Sequence, residues 1–229
     1  MTQQIEITLS AEIIAVDGVV NGESYAFTLT GGKDGMSIWS ADVARAADDI
    51  YRITITATTS LGVTSQLSTV IYYGLHLVTD RTRDDVNRVA ALVKKGWEKM
   101  TAAERSEWER GMKGAYNYTD LNRVQSAVRF LRDRLAGAGY PVTISDHKTW
   151  MKGDTPTRTD MENYLADVRA IRNVFALPAT TPQVPNTMAR LNHLGANHIE
   201  QILADVDRLS VNIVPHVVQS GEIYGGEWH

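Results

Sequence analysis

The first third of the chain is dominated by alternating apolar and polar residues. Ile5–Leu9 and Tyr25–Leu29 alternate with a period of two, and Tyr51–Ala57 does so most cleanly. This period places successive side chains on opposite faces of a β-strand. The β-branched and aromatic run Leu67–Tyr73 predicts a further strand, and Ile38–Val43 has the pattern of a half-buried strand.

Turn-forming residues separate these segments, at Asp17-Gly18, Asn21-Gly22, Gly31–Gly35 and Asp48-Asp49. Short strands at this spacing are typical of a small antiparallel sandwich of the immunoglobulin-like type. The glycine-rich stretch predicts a hairpin turn rather than a phosphate loop, because no helix signal follows it. We expect Trp39 to fill the core of the sandwich; the alternative is an exposed Trp39 on a glycan-binding face.

The rest of the chain carries apolar residues at spacings of three and four, which predicts amphipathic helices. We expect these helices to end at Gly137 and Gly139, at Leu177-Pro178 and at Pro215. The three stripes are Leu121, Val124, Val128, Leu131 and Leu135; Met161, Leu165, Val168, Ile171 and Phe175; and Ile199, Ile202, Leu203, Val206, Leu209 and Ile213.

Helix starts are marked by a hydroxyl three residues before a carboxylate. The pattern occurs at Thr82–Asp85, Thr101–Glu104 and Thr159–Glu162. The hydroxyl can accept a hydrogen bond from the third helical N–H, so these carboxylates are interpreted as caps rather than as catalytic groups. Together the stripes and caps predict a bundle of four to five helices, with Trp97 and Trp108 packed between them. An exposed stacking platform for sugars is the alternative for these two residues.

The sequence therefore predicts an α+β protein with two domains. A small immunoglobulin-like β-sandwich is expected at residues 1–75, an all-α helical bundle at 76–218 and a C-terminal tail at 219–229. Composition supports the division, since residues 1–75 carry 3 basic and 8 acidic side chains and no Pro, whereas the remainder carries 20 and 19 and all six Pro. The tail mixes Gly with apolar residues, and we expect it to take its order from a partner.

One helix-opening segment recurs within the second part. Asp120–Gln125 resembles Ala196–Gln201 when Asn122 is aligned with Asn197, and Asp160–Asn163 opens a third helix in a related way. Duplication of one helix would explain the similarity, and chance agreement over so few residues is the other explanation.

Composition narrows the chemistry. The chain has 229 residues, a net charge of −4 and no Cys, which removes disulfides, thiolate metal sites and a Cys nucleophile. The negative charge argues against a duplex-DNA partner, and no stretch approaches the ~20 apolar residues of a membrane span. The start of the chain has no pattern of a secretion signal. No nucleotide-binding, metalloprotease or hydrolase motif occurs, so we expect no enzyme activity and no catalytic, cofactor-binding or metal-binding residues.

A set of short motifs in residues 77–226 resembles a helical module of phage and prophage tail-associated structural proteins from Gram-positive gut bacteria. In that group such modules often follow immunoglobulin-like domains. The motifs are Leu77–Thr82, Asp85-Val86, Lys95–Trp97, Met100-Thr101, Glu107-Trp108, Lys113–Asn117, Asp120–Val124, Pro156–Met161, Leu177-Pro178, Pro185 and Ser220–Tyr224.

The resemblance implies a non-enzymatic virion component of a tail tip, baseplate or fibre, with a structural or host-adhesion role. Implied partners are other tail or baseplate proteins, further copies of this chain and a host cell-surface glycan, and the implied location is the virion. Two alternatives stay open: a carbohydrate-binding adhesin module with Trp39 or the Tyr72-Tyr73 pair as sugar platform, and a hydrolase with its site in an inter-domain cleft. The hydrolase would require a pair of buried carboxylates.

Overall fold

The protein is described here from a computed structural model, which covers residues 2–146 and 148–220, with side chains described up to Val211. The chain divides into two compact units built from alternating segments. One comprises 1–76, 116–126 and 146–156, and the other comprises 77–115, 127–145 and 157–229. The domain limits expected at residues 75 and 218 stay a prediction, and the side chains of the tail at 219–229 lie outside the described residues.

Six antiparallel strands form one sheet with the order β1-β4-β3-β2-β5-β6. The sheet curls into a half-barrel, so the predicted immunoglobulin-like sandwich is wrong. A sandwich needs two separate sheets that face each other. Here β2 bonds to both β3 and β5, which joins all strands into one surface that curls around its own core. The strands are β1 Thr2–Ser10, β2 Ile13–Val20, β3 Glu23–Lys33, β4 Met36–Ala44, β5 Ile50–Thr59 and β6 Thr64–Tyr72.

Most of the alternating apolar residues line the inner face of this sheet, whereas Leu29 is 57% exposed next to an irregularity in the pairing of β3 with β4. Trp39 is 4% exposed among them, and its indole N–H donates to the Ser37 hydroxyl at 2.9 Å. The prediction that Trp39 fills the core is confirmed, and its alternative as an exposed sugar platform is wrong. The inner-face cluster includes Ile5, Ile7, Val16, Val20, Phe27, Val43, Tyr51, Ile53, Ile55 and Ile71.

Strand β2 was not predicted, because Asp17-Gly18 has the composition of a turn. In the structure these residues lie in the middle of the strand, so the predicted turn is wrong. A Cβ on Gly18 would lie 2.8 Å from the Phe27 ring and 3.2 Å from Ile55. Gly18 is therefore a glycine that makes room for an aromatic ring on the neighbouring strand.

The other turn signals are close to their expected places. Asn21 and Gly22 both have positive φ between β2 and β3, as a tight hairpin requires, and Asp49 also has positive φ before β5. The glycine-rich stretch does contain a hairpin turn, at Asp34-Gly35, while Gly31-Gly32 belong to β3.

The outer edge of β6 is covered by the segment around Trp150. The Lys152 N–H donates to the Ser68 carbonyl at 2.7 Å, and the Thr69 hydroxyl donates to the Trp150 carbonyl at 2.6 Å. Met151 joins the inner-face cluster from the same segment. An uncovered edge strand would offer its free N–H and C=O groups to other chains, so this segment satisfies β6 from within the chain.

The predicted all-α bundle is not formed. In the described part of the chain, α2 buries no residue and α1 buries only Leu92, whereas α4 and α5 pack side by side. Residues 138–146, 148–157 and 173–192 contain no helix, so the helices lack the short connections of a bundle. The helices are α1 Arg83–Lys95, α2 Ala102–Glu109, α3 Tyr118–Gly137, α4 Arg158–Arg172 and α5 His193–Ser220, and a single 3₁₀ turn occupies Trp97–Lys99.

Two of the three predicted helix caps are confirmed, at Thr82 and Thr101. The third begins two residues earlier than predicted. The Thr157 hydroxyl accepts from the Asp160 N–H at 3.2 Å, and the Asp160 carboxylate accepts from the Thr157 N–H at 2.8 Å. Thr157 and Asp160 also place a hydroxyl three residues before a carboxylate, so the same capping pattern begins the helix at a different residue.

The apolar stripe of α3 is confirmed, because Leu121, Val124, Val128, Leu131 and Leu135 are all buried and the helix ends at Gly137. The end of the last helix was predicted wrongly. Helix α5 passes through Pro215 and reaches Ser220. The fixed φ of proline is compatible with a helix, so an interior proline costs one hydrogen bond and a clash with the carbonyl four residues earlier without necessarily ending the helix.

Candidate functional site

Asn122, on the first turns of α3, holds the extended segment at Trp150. Its side-chain carbonyl accepts from the Trp150 N–H at 2.9 Å, and its amide group donates to the Trp150 carbonyl at 2.9 Å. The same amide group donates to the Val70 carbonyl at 2.9 Å and to the Thr69 hydroxyl at 3.0 Å. One buried side chain thereby joins α3, β6 and the Trp150 segment within the first unit.

Asn197, on α5, makes the same arrangement with Arg81 in the second unit. Its carbonyl accepts from the Arg81 N–H at 3.0 Å, and its amide group donates to the Arg81 carbonyl at 2.9 Å. Asn122 and Asn197 are each the fifth residue of their helix. The recurring segment found in the sequence therefore has a physical counterpart, in which a helical Asn captures both backbone groups of one extended residue. We call these two arrangements the Asn122 clamp and the Asn197 clamp.

The third related segment does not share this arrangement. Asn163, on α4, is exposed to solvent. The third segment shares with the other two only the opening of a helix. The clamp also requires an extended segment beside the Asn.

A buried ion pair lies next to the Asn197 clamp. The Arg81 guanidinium donates to Glu200 at 2.6 Å, and the two side chains are 2% and 0% exposed. The other Glu200 oxygen accepts from the Val78 N–H at 2.6 Å, and Arg81 also donates to the Val78 carbonyl at 2.6 Å. Full desolvation of two charges is costly unless other hydrogen bonds offset it, and here Glu200 and Arg81 each add one to the backbone of Val78, while the Arg81 Nε–H has no hydrogen-bond partner among the described residues.

Tyr72, from the proposed aromatic pair, lies in a polar cluster at the end of β6. The Arg123 guanidinium is 6.0 Å from the centre of its ring and donates to Asp120 at 2.5 Å. Burial and the negative charge of Asp120 raise the pKa of Tyr72, whereas Arg123 and Thr119 lower it, and the net change is an increase. The phenol therefore stays protonated at neutral pH and serves as a hydrogen-bonding group.

Tyr73, the other member of the pair, is turned toward the sheet. Its hydroxyl donates to the Gln4 carbonyl of β1 at 2.6 Å, and its ring meets Tyr51 edge to face at 5.5 Å. Neither Tyr72 nor Tyr73 presents a free ring face in the manner that a sugar platform requires.

Trp97 and Trp108 are exposed by 42% and 37%, so the prediction that they pack between helices is wrong. The Arg105 guanidinium lies 5.3 Å from the Trp97 ring centre. Ion pairs, not apolar packing, hold α2 to α1: Lys95 meets Glu104 at 2.5 Å and Arg88 meets Glu107 at 2.7 Å.

The buried carboxylates that a hydrolase would need are each engaged by a cation or a hydroxyl. Asp120 binds Arg123, and Asp205 accepts from Thr181 at 2.6 Å and from Arg208 at 3.0 Å. Asp167 accepts from the Ser145 backbone and hydroxyl at 2.9 and 3.1 Å. Within the described residues, no three His, Cys, Asp or Glu side chains are grouped to hold a metal ion. None of the described helices has the length and apolar content to cross a membrane.

A shallow depression of about 410 Å³ lies on the outer face of the sheet. Its floor is one cross-strand row, in which Asp17 pairs with Ala26 and Thr56, and Thr56 pairs with Gln66. Val19 flanks the row between Ser24 and Thr54. Sequence reasoning missed this row because Asp17-Gly18 was taken for a turn; the period of two in Val16, Gly18 and Val20, with the polar Asp17 between the first two, was the available signal.

The residues of the clamps, the Tyr72 cluster and the outer-face depression are thus located without reference to any related protein. No protein-family model, curated protein or solved structure matches this chain.

Proposed function

We propose that this protein is a non-enzymatic structural component of a phage or prophage particle, in a tail tip, baseplate or fibre, where it binds other tail or baseplate proteins and further copies of itself. The observation that carries the proposal is the role of the residues that bear the resemblance to tail-associated modules. Their side chains hold the backbone of the fold together, which is what a shared structural module requires.

The pairing of two motifs in the second unit is one instance. Lys113 binds Asp80 at 2.6 Å, and the adjacent Gly114 lies against α1. A Cβ on Gly114 would be 2.1 Å from the Asp85 carbonyl oxygen. The start of the segment Lys113–Asn117 therefore fits directly against the segment Leu77–Asp85.

The clamps are a second instance. Asn122 belongs to the segment Asp120–Val124, and Arg81 belongs to Leu77–Thr82. Asn122 is used for holding Trp150, and Arg81 is held by Asn197 and Glu200. Buried polar residues that bind the backbone in this way favour one arrangement of the chain, and a part that must assemble repeatedly with neighbours benefits from a single rigid form.

The test is a protein inventory of purified particles from the strain that carries the gene. Particles are banded by density, and their peptides are quantified by mass spectrometry against the cell lysate. The proposal expects peptides of this chain to be enriched in the particle band in proportion to the other tail proteins. Abundant protein in the lysate and none in the particle band would contradict it.

A further inference from the structure

The outer-face depression carries polar groups that the fold itself does not use. Within the described residues, the side chains of Asp17, Thr56 and Gln66 make no hydrogen bond, although each lies in the row Ala26–Asp17–Thr56–Gln66. The structural account of the clamps and the half-barrel does not explain a row of free hydrogen-bonding side chains across three adjacent strands.

The spacing and the hydrogen-bonding groups of the row indicate which chemical class of ligand would fit. Adjacent strands are about 4.8 Å apart, so Asp17 and Gln66 are separated by roughly 10 Å with Thr56 between them. The carboxylate accepts two hydrogen bonds, and the Thr hydroxyl and the Gln amide each both donate and accept. A ligand that fits must therefore carry several hydroxyls that donate and accept at short intervals.

The flanking residues and the charge narrow the choice further. Val19 is 42% exposed beside the row, and Ala26 is its apolar end, so the ligand needs a C–H face as well as hydroxyls. Asp17 lies within residues 1–75, which carry 3 basic and 8 acidic side chains, so its carboxylate repels anions. The depression of about 410 Å³ lies within the range of small-ligand sites.

We propose that this outer-face row of Asp17, Thr56 and Gln66 is a binding site for a neutral saccharide, with vicinal hydroxyls donating to Asp17 and the C–H face of the sugar ring on Val19. This site adds glycan binding to the proposed particle function. Its biological setting rests on that proposed function, whereas the binding itself rests on the residues of the sheet face. Strand residues form the row, so little backbone ordering opposes binding.

The test uses the full chain on an immobilised array of neutral and acidic glycans, followed by titration of the best neutral glycan in solution with backbone amide chemical shifts as the readout. The expected result is saturable binding to a neutral glycan, with shifts centred on Asp17, Val19 and Thr56. Asp17→Asn and Gln66→Ala should each weaken binding, the former by about tenfold or more because a charge-assisted hydrogen bond is lost.

The control is Asp34→Asn, which makes the same chemical change at an exposed carboxylate in the turn between β3 and β4, eight residues along the chain from Ala26. It should bind as the parent protein does. Failure to bind any neutral glycan, binding to acidic glycans alone, or binding that Asp17→Asn and Gln66→Ala leave unchanged would each overturn the saccharide site. None of these outcomes affects the particle inventory, and absence from particles would leave the binding result standing, so the two proposals fail separately.

Discussion

Trp150 and Asn122 exchange two hydrogen bonds of 2.9 Å, from the Trp150 N–H to the Asn122 side-chain carbonyl and from the Asn122 amide group to the Trp150 carbonyl. The Asn122 side chain thus makes the two hydrogen bonds that a neighbouring β-strand would make to one residue. Arg81 and Asn197 repeat this relationship at 3.0 and 2.9 Å. A helix can in this way hold an extended segment that has no strand partner of its own, and buried backbone groups are left satisfied.

The Arg81–Glu200 pair should behave as a coupled unit. Glu200→Leu leaves the Arg81 charge buried without its carboxylate, and we expect the free energy of unfolding to fall by about 3–5 kcal/mol. The double variant Arg81→Met/Glu200→Leu removes both charges. Its loss of unfolding free energy should be smaller, by at least about 1 kcal/mol, than the summed losses of the single variants Arg81→Met and Glu200→Leu. Urea unfolding of the four proteins measures this coupling, and strictly additive losses would show that the pair is not coupled.

Gly114 should tolerate no side chain. In Gly114→Ala the new Cβ meets the backbone of Asp85, which cannot move aside as a flexible side chain would. We expect a loss of about 3 kcal/mol or more in the free energy of unfolding. The control is Gly137→Ala, where a Cβ meets nothing within 4 Å and the change should be neutral or stabilising by less than about 1 kcal/mol. Equal melting temperatures for the two variants would contradict the close approach.

Acid should weaken the connection between α1 and α2. The Lys95 ammonium and the Thr101 N–H lower the pKa of Glu104 from 4.5 to about 2. Because the folded pKa is the lower one, Glu104 contributes stability above pH 4.5, and the contribution is lost as the pH falls toward 2. Glu104→Gln keeps a residue suited to the capping box but removes the charge.

The measurement is denaturant unfolding between pH 5 and pH 2. Glu104→Gln should show a flatter decline of stability than the parent protein over this range. The matched variant is Glu109→Gln, an exposed carboxylate on the same helix, which should follow the parent. If Glu104→Gln declined as steeply as the parent, the ion pair with Lys95 would not be formed in solution.

The α3 stripe should be sensitive at Val124 and tolerant at Arg129. Val124 is 0% exposed, whereas Arg129 is exposed on the opposite side of the stripe. Val124→Asp places a carboxylate in an apolar interior, and we expect it to unfold or to lose several kcal/mol. Arg129→Ala should stay within about 1 kcal/mol of the parent. Thermal melts followed by circular dichroism compare the two, and similar melting temperatures would mean that the stripe does not face the core.

Local patterns in the sequence predicted most of the elements. Alternation identified inner-face residues of β1, β3 and β5, and β6 was recognised from its β-branched and aromatic composition. The spacing of Leu121, Val124 and Val128 identified the buried face of α3. Thr82 and Thr101 were recognised as caps because capping depends on residues only three positions apart. These features depend on residues that are close together in the sequence, and a single sequence is informative about structure over that short range.

The arrangement of the elements was not predicted, because it depends on contacts between distant residues. Gly18 has the composition of a turn, and only the Phe27 ring that fills its place shows why it lies in a strand. Without β2, the two halves of the sheet had no connection, and a sandwich was the natural expectation. Similarly, Asn122 is an ordinary polar residue on a helix until Trp150, 28 positions away, is placed beside it.

The central structural claim is that the Asn122 clamp holds the Trp150 segment to α3 and β6, and Asn122→Ala tests it most directly. Truncation leaves the buried Trp150 N–H and carbonyl without their partner, so we expect the free energy of unfolding to fall by about 2–3 kcal/mol. The matched control is Asn163→Ala, the exposed Asn of α4, which should change it by less than about 0.5 kcal/mol.

Amide hydrogen exchange at Trp150 in these two variants is the decisive measurement. Our account predicts that Asn122→Ala raises the exchange rate of the Trp150 amide by at least about tenfold, beyond any change at amides of the β-sheet core, and that Asn163→Ala leaves it unchanged. A Trp150 amide that exchanges equally slowly in the parent protein and in Asn122→Ala would contradict it.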